Sequence, residues 1–255
     1  MPTPTPATPT PATPAPDTTT PATPTAVTAT RTRATAVAGR LVRLYAGLAL
    51  YGASAGLQLR AGFGLPPWDV LNQGVARHAG ISIGTASILI GALVLLLWIP
   101  LRQRPGLGTV SNVLTIGLAL DATLGLVPAQ HSYWTRIPLL VFAVVLCGAA
   151  TGLYISARFG AGPRDGLMTG LHRRTGRSVR LVRTCIEVAV LATGFALGGS
   201  VGAGTVLFAV TIGPLAQFFL RLFEPTRSAP AERPVAGGEA APAVVGTAGA
   251  RPSGR

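Results

Sequence analysis

Between Leu41 and Phe223 the chain runs through several apolar stretches of roughly 18 to 21 residues, the length that crosses a hydrocarbon core of ~30 Å at 1.5 Å per residue. A soluble domain of 255 residues would instead show shorter amphipathic helices, each with a polar face. The mean hydropathy of +0.49 and a charged share of only 11% favour the membrane, because what charge there is gathers at the chain ends and in short loops. The expected fold class is therefore all-α, a polytopic membrane helix bundle.

A net charge of +13 would suggest nucleic acid in a soluble protein. Here all 21 basic residues are Arg, most fall where cytoplasmic loops belong, and no basic surface interleaved with aromatics is present to stack bases. The expected partner is the lipid bilayer, with anionic lipid at the cytoplasmic face, and not nucleic acid. Cys147 and Cys185 both lie in apolar segments and read as small packing residues, without disulfide or metal spacing.

Residues 1–38 are dominated by Pro, Thr and Ala and read as a disordered cytoplasmic tail; 225–255 read the same way. The first stretch has no positive segment followed by an apolar one, so it is not a cleavable signal. Six spans are expected at 41–59, 82–100, 108–127, 137–157, 181–198 and 204–223. Trp98, Tyr133 and Trp134 fall near their interfaces, where amphipathic rings are favoured. With both termini inside, the cytoplasmic segments hold Arg40, Arg43, Arg102, Arg104 and a dense run from Arg158 to Arg183, while the outside keeps Arg60, Arg77 and Arg136. This asymmetry supports an even number of spans.

Shifting the chain on itself by 96 positions aligns residues 50–117 with 146–213, with 26 of 68 positions identical. Apolar bias does not account for Phe63/Phe159, Pro67/Pro163, Asp69/Asp165, Arg77/Arg173, or Gly108-Thr109-Val110 against Gly204-Thr205-Val206. Two membrane repeats, 39–130 and 131–224, are expected. Each holds three spans, an odd number, so the second enters the membrane inverted relative to the first, as in many transporters.

After the first span of each copy comes a segment, 66–79 or 163–175, too short to cross. Each opens with Pro followed two residues later by Asp, and Gly80 or Gly176 follows as a stop. Asp69, Gln73 and Arg77 share one helical face, as do Asp165, Thr169 and Arg173. Two readings stand: an interfacial connector with Asp as its starting residue, or two re-entrant half-helices whose polar faces line a pathway.

At these residues the chain resembles a bacterial membrane-protein family, the YczE/YyaS/YitT group, and its YczE-like members most closely. The resemblance rests on Gly62-Phe63-Gly64-Leu-Pro-Pro67-Trp68-Asp69-Val-Leu, on Gly80-Ile-Ser-Ile-Gly-Thr85, and on Gly160-Ala-Gly-Pro163-Arg-Asp165-Gly-Leu-Met, within residues 40–223. It implies a multi-pass protein of a bacterial inner (plasma) membrane and supplies no established substrate or catalytic set.

Other positions carry weaker signals. Gly52-x-x-x-Gly56 and Gly148-x-x-x-Gly152 suit close helix packing, span one against span four, with homodimerisation as the alternative. Glu187, four residues after Arg183, is either a near-interface ion pair or a coupling carboxylate. Asp121 aligns with Gln217, and Asn112 lies on the same span. His78, His131 and His172 are scattered, so no metal site is expected, and neither a nucleophile arrangement nor a phosphate loop is present. The reading is neither an enzyme nor a cofactor protein. It is a small-solute transporter or permease-like protein with its site between the repeats, drawing on Asp69, Asp165, Gln73, Thr169, Asn112, Asp121 and Glu187. The alternative is a scaffold whose Arg173, Arg174, Arg177 and Arg180 contact anionic lipid or a cytoplasmic partner.

Overall fold

The computed structural model describes residues 26–223. They form eight helices and no strand: α1 (Ala26–Ala61), α2 (Pro67–Ala79), α3 (Ile83–Trp98), α4 (Leu107–Leu126), α5 (Tyr133–Ser156), α6 (Pro163–Thr175), α7 (Val179–Ala196) and α8 (Ala203–Phe223). Helix α1 starts at Ala26, so residues 26–38, assigned above to the tail, are helical. Residues 1–25 and the second tail, 225–255, lie outside the described residues.

Among the described residues, only α4, α5 and α8 are individually long and apolar enough to cross a membrane. The pair α2 and α3, bent by 111° at a short break, passes as one unit. The expected spans corresponding to α1, α3 and α7 do not pass alone. Helix α3 has 16 residues, α7 carries Arg180, Arg183 and Glu187, and α1 is interspersed with polar side chains.

Local chemistry sets the helix ends. Pro67 and Pro163 occupy the first turns of α2 and α6, where a missing N–H costs nothing. Gly80 and Gly176 end them in the left-handed region, at φ 65° and 67°. Ser82 and Ser178 cap α3 and α7 by accepting from Thr85 N and Leu181 N.

The residues with φ > 0 fall into a pattern. Among the described residues they are Gly62 and Arg158, Gly64 and Gly160, Gly80 and Gly176, Arg102 and Gly198. Every pair is 96 positions apart. The left-handed backbone is cheap for Gly62 and Gly198 and strained for Arg158 and Arg102, yet the chain bends the same way at both.

Packing follows a reciprocal scheme. Helix α1 lies against α4 as α5 lies against α8, and α1 meets α5 along a long seam. Across the halves, α2 packs on α7 while α3 packs on α6. A β-carbon on Gly52 would lie 2.4 Å from Ile116 O, and one on Gly56 would lie 2.9 Å from Thr123 Cβ. Gly148 and Gly152 meet Leu215 and Phe219 in the same way. This corrects the expected pairing: each Gly-x-x-x-Gly face packs inside its own half, against α4 or α8. At the α1–α5 seam the close approach is made at Gly47, where a β-carbon would lie 2.7 Å from Tyr154 N.

That seam is antiparallel and is clamped at both ends by arginines, themselves 96 positions apart. The Arg40 Nε donates to Ala157 O at 3.0 Å, its NH2 donates to Arg158 O at 3.1 Å, and its guanidinium lies 4.8 Å over Phe159. Arg136 donates to Ala61 O at 2.7 Å and Gly62 O at 2.9 Å, 4.6 Å over Phe63. Each guanidinium thus caps the C-terminus of the other half's first helix. Beyond those caps, Phe159 O accepts from Gly108 N, and Phe63 O accepts from Gly204 N. We expect Arg136→Ala to cost about 1 to 2 kcal/mol, because two carbonyls lose a charged donor at a half-buried site. Lysine should rescue little, since it lacks the planar fork; full rescue by Arg136→Lys in detergent unfolding would show that charge alone matters.

Candidate functional site

Helices α2 and α6 bring their N-termini together. The residue between Pro and Asp is Trp68 in one and Arg164 in the other. The Arg164 guanidinium lies 4.8 Å over the Trp68 ring and 3.9 Å from Asp69 Oδ1. Asn72, one turn further along α2, donates its Nδ2 to the same oxygen at 3.0 Å. Asp69 is only 5% exposed, and these two contacts compensate a carboxylate that burial would otherwise penalise.

A cavity of about 100 Å³ opens beside this junction. Trp68 and Asn72 of α2, Arg164 and Asp165 of α6, Asn112 of α4, and Tyr51 and Tyr154 at the α1–α5 seam contribute to its wall. Three polar groups converge about Gly162. A β-carbon there would lie 3.4 Å from Asp165 Oδ2, 3.6 Å from Asn112 Nδ2 and 3.9 Å from Tyr154 Oη.

The two ends of the bundle differ here. Positions 96 residues from Tyr51 and Asn112 hold Cys147 and Phe208, which pack into a core with Ala61, Leu140 and Val144. Asp165 is exposed, whereas its counterpart Asp69 is sealed. The same inequality recurs next door. Trp98 stands against Gly166 and donates its indole N–H to Pro163 O at 3.1 Å. In the equivalent place Gly194 lies directly on the backbone of Val70 and Leu71.

The remaining candidates from the sequence lie elsewhere. Gln73 Oε1 accepts from Ser200 N at 2.6 Å and pins α2 to the turn before α8. The Thr169 hydroxyl turns back onto Asp165 O and Gly166 O. Asp121 accepts from Ser82 Oγ at 2.5 Å and Gly84 N at 2.8 Å, so it caps the positive end of α3. Glu187 pairs with Arg183 at 2.9 Å on an exposed face. Arg173, Arg174, Arg177 and Arg180 are exposed, and Arg174 donates to Pro100 O. Among the described residues no group of three or more His, Cys, Asp or Glu could hold a metal.

Sequence reasoning missed Trp68, Arg164, Asn72, Tyr51 and Tyr154 as wall residues. Arg164 was counted as a cytoplasmic charge, but it turns inward. The available signal was its position, between Pro163 and an Asp already singled out.

The model of a family described as "Family of unknown function (DUF6198)" matches residues 38–221. The chain belongs to this family. The matched region contains both short helices and every cavity residue named above. An "Uncharacterized protein" of Haemophilus influenzae is 42% identical over 175 residues, covering 69% of this chain and 80% of that protein. The "Uncharacterized membrane protein YczE" of Bacillus subtilis is 35% identical over 179 residues, covering 69% and 83%. The "Uncharacterized protein YyaS" of the same organism is 25% identical over 187 residues, covering 71% and 93%. No solved structure matches. The resemblance to YczE-like proteins read from the Pro-x-Asp blocks is thus the family the comparisons give.

Proposed function

We propose that the chain is a small-solute transporter or permease-like protein of the bacterial inner membrane, with its site in the cavity between two inverted repeats. The observation that carries this reading is the cavity itself, walled by both halves and holding the Asp165 carboxylate. An ionisable group inside a membrane bundle is costly and marks a binding or conduction site by default. Six spans fit the reading if α3 crosses with α2 folded back beside it and α7 crosses with Arg180 and Arg183 at its cytoplasmic end. Paired left-handed residues, paired arginine clamps and swapped short helices support a duplicated, inverted plan. In this plan both termini face the cytoplasm.

The test is access to the cavity. Cysteine placed at Ser87, which lines the cavity, in a Cys185→Ser background should react with a membrane-impermeant maleimide from one side of intact vesicles. Cys147 is buried and can stay. Absence of labelling from both sides, with labelling after solubilisation, would remove the pathway.

A second reading rests on the exposed Arg173, Arg174, Arg177 and Arg180 around the α6–α7 turn. Four arginines at a cytoplasmic surface would hold anionic lipid at about 1 kcal/mol each. That role is compatible with a transporter and sufficient for a scaffold. Loss of cellular phenotype on removing these charges, with none on replacing Asp165, would favour the scaffold.

A further inference from the structure

Resting on the transporter reading, we propose that the cavity binds a small organic ammonium group, held by Asp165 and the aromatic wall formed by Tyr51, Trp68 and Tyr154. Asp165 lines the cavity, and its carboxylate makes no hydrogen bond or ion pair among the described residues. Its counterpart Asp69 is already met by Arg164 and Asn72. Two guanidiniums act on Asp165, and both already face another carboxylate: Arg164 faces Asp69 at 3.9 Å and Arg183 pairs with Glu187 at 2.9 Å, which leaves the Asp165 carboxylate without a partner of its own. The Asp165 carboxylate therefore asks for an N–H donor.

The walls ask for the same chemistry. Tyr51 and Tyr154 meet edge to face at 6.3 Å beside the carboxylate's neighbours. The third ring, Trp68, already carries one cation on its face, the Arg164 guanidinium. Aromatic faces beside a carboxylate attract ammonium more strongly than hydrated metal ions, because the methyl or methylene groups shed water easily. A space of about 100 Å³ admits a group the size of methylammonium or tetramethylammonium.

The experiment uses the purified full-length protein in detergent, titrated with methylammonium and tetramethylammonium chloride against sodium chloride at matched ionic strength. We expect saturable quenching of tryptophan emission and a raised unfolding temperature with one or both ammonium salts only. Asp165→Asn should weaken apparent binding about tenfold, the scale of one lost charged contact. Asp165→Glu should restore most of it. Ammonium should also protect the Ser87→Cys protein from the maleimide, which keeps the test decisive should Asp165→Asn fail to fold. The inference is overturned by no saturable response, by a response that Asp165→Asn leaves intact, or by saturation with sodium acetate in place of the ammonium salts. Ammonium binding without uptake into proteoliposomes would count against transport and leave the ammonium site standing. Maleimide access to the cavity without ammonium binding would do the reverse.

Discussion

Arg164→Met will destabilise the folded protein by about 3 kcal/mol, the scale set by removing one partner from a buried ion pair. The guanidinium is 28% exposed while Asp69 is 7% exposed, so the charge left behind is the more deeply sealed of the two. Methionine replaces the guanidinium over Trp68 with an uncharged chain and supplies no donor, and Asn72 alone then faces the carboxylate. The decisive comparison is a double variant. Adding Asp69→Asn to Arg164→Met removes the uncompensated charge and should recover at least half of the loss, since partners in one network are not additive. Equilibrium unfolding in mixed micelles reads all four corners of the cycle. Simple additivity would show that Arg164 acts by packing and that its contact with Asp69 is incidental.

The second large effect belongs to Gly166. A β-carbon there would lie 1.9 Å from Trp98 Cζ2, an impossible separation, and the atoms beneath are a rigid indole held by its own hydrogen bond. Gly166→Val therefore displaces Trp98, which is 3% exposed and packs with Trp68, Val94 and Leu167. Overpacking of this kind costs about 1 to 3 kcal/mol, and here the lost Trp98–Pro163 hydrogen bond adds to it. Trp98→Leu opens the space, so Gly166→Val should cost much less in that background. An equal cost in both backgrounds would locate the strain in α6 itself, for example in the β-branched side chain's helix propensity.

The sequence was most legible where the physics is local. Proline at the first turn, Asp two residues on, and Gly at the stop placed α2 and α6 within a residue or two of their observed ends. The left-handed Gly64 and Gly160 sit inside blocks that the internal alignment had matched. What failed was whatever depends on which surface meets which. Spacing shows that Gly52 and Gly56 share a small face, but it cannot say that α4 and not α5 covers it. Counting arginines for orientation treats each alike, whereas Arg164 turns towards a carboxylate and Arg40 and Arg136 cap helix ends. Asp121 reads as a lining group because its counterpart Gln217 is polar too, yet the first turn of α3 claims it.

The start of α1 had a readable signal that tail composition hid. After Pro24 no proline occurs until Pro66, so nothing breaks a helix begun at Ala26. Membrane crossing itself is read less well by window averages in this chain. Charged groups that serve the fold, such as Arg180 and Arg183 near the start of α7, lower the score of a helix without telling which end of it they occupy.

A molecule assembled from one plan used right side up and upside down is a palindrome, and a palindrome has no direction. Phe208 breaks that equality. Where its counterpart Asn112 leaves room for a guest, Phe208 fills the space with a ring. In the inverted-repeat reading one of two equivalent chambers has thus become a plug, and the protein has acquired a front and a back through a few differences in side-chain volume, of which Phe208 is one.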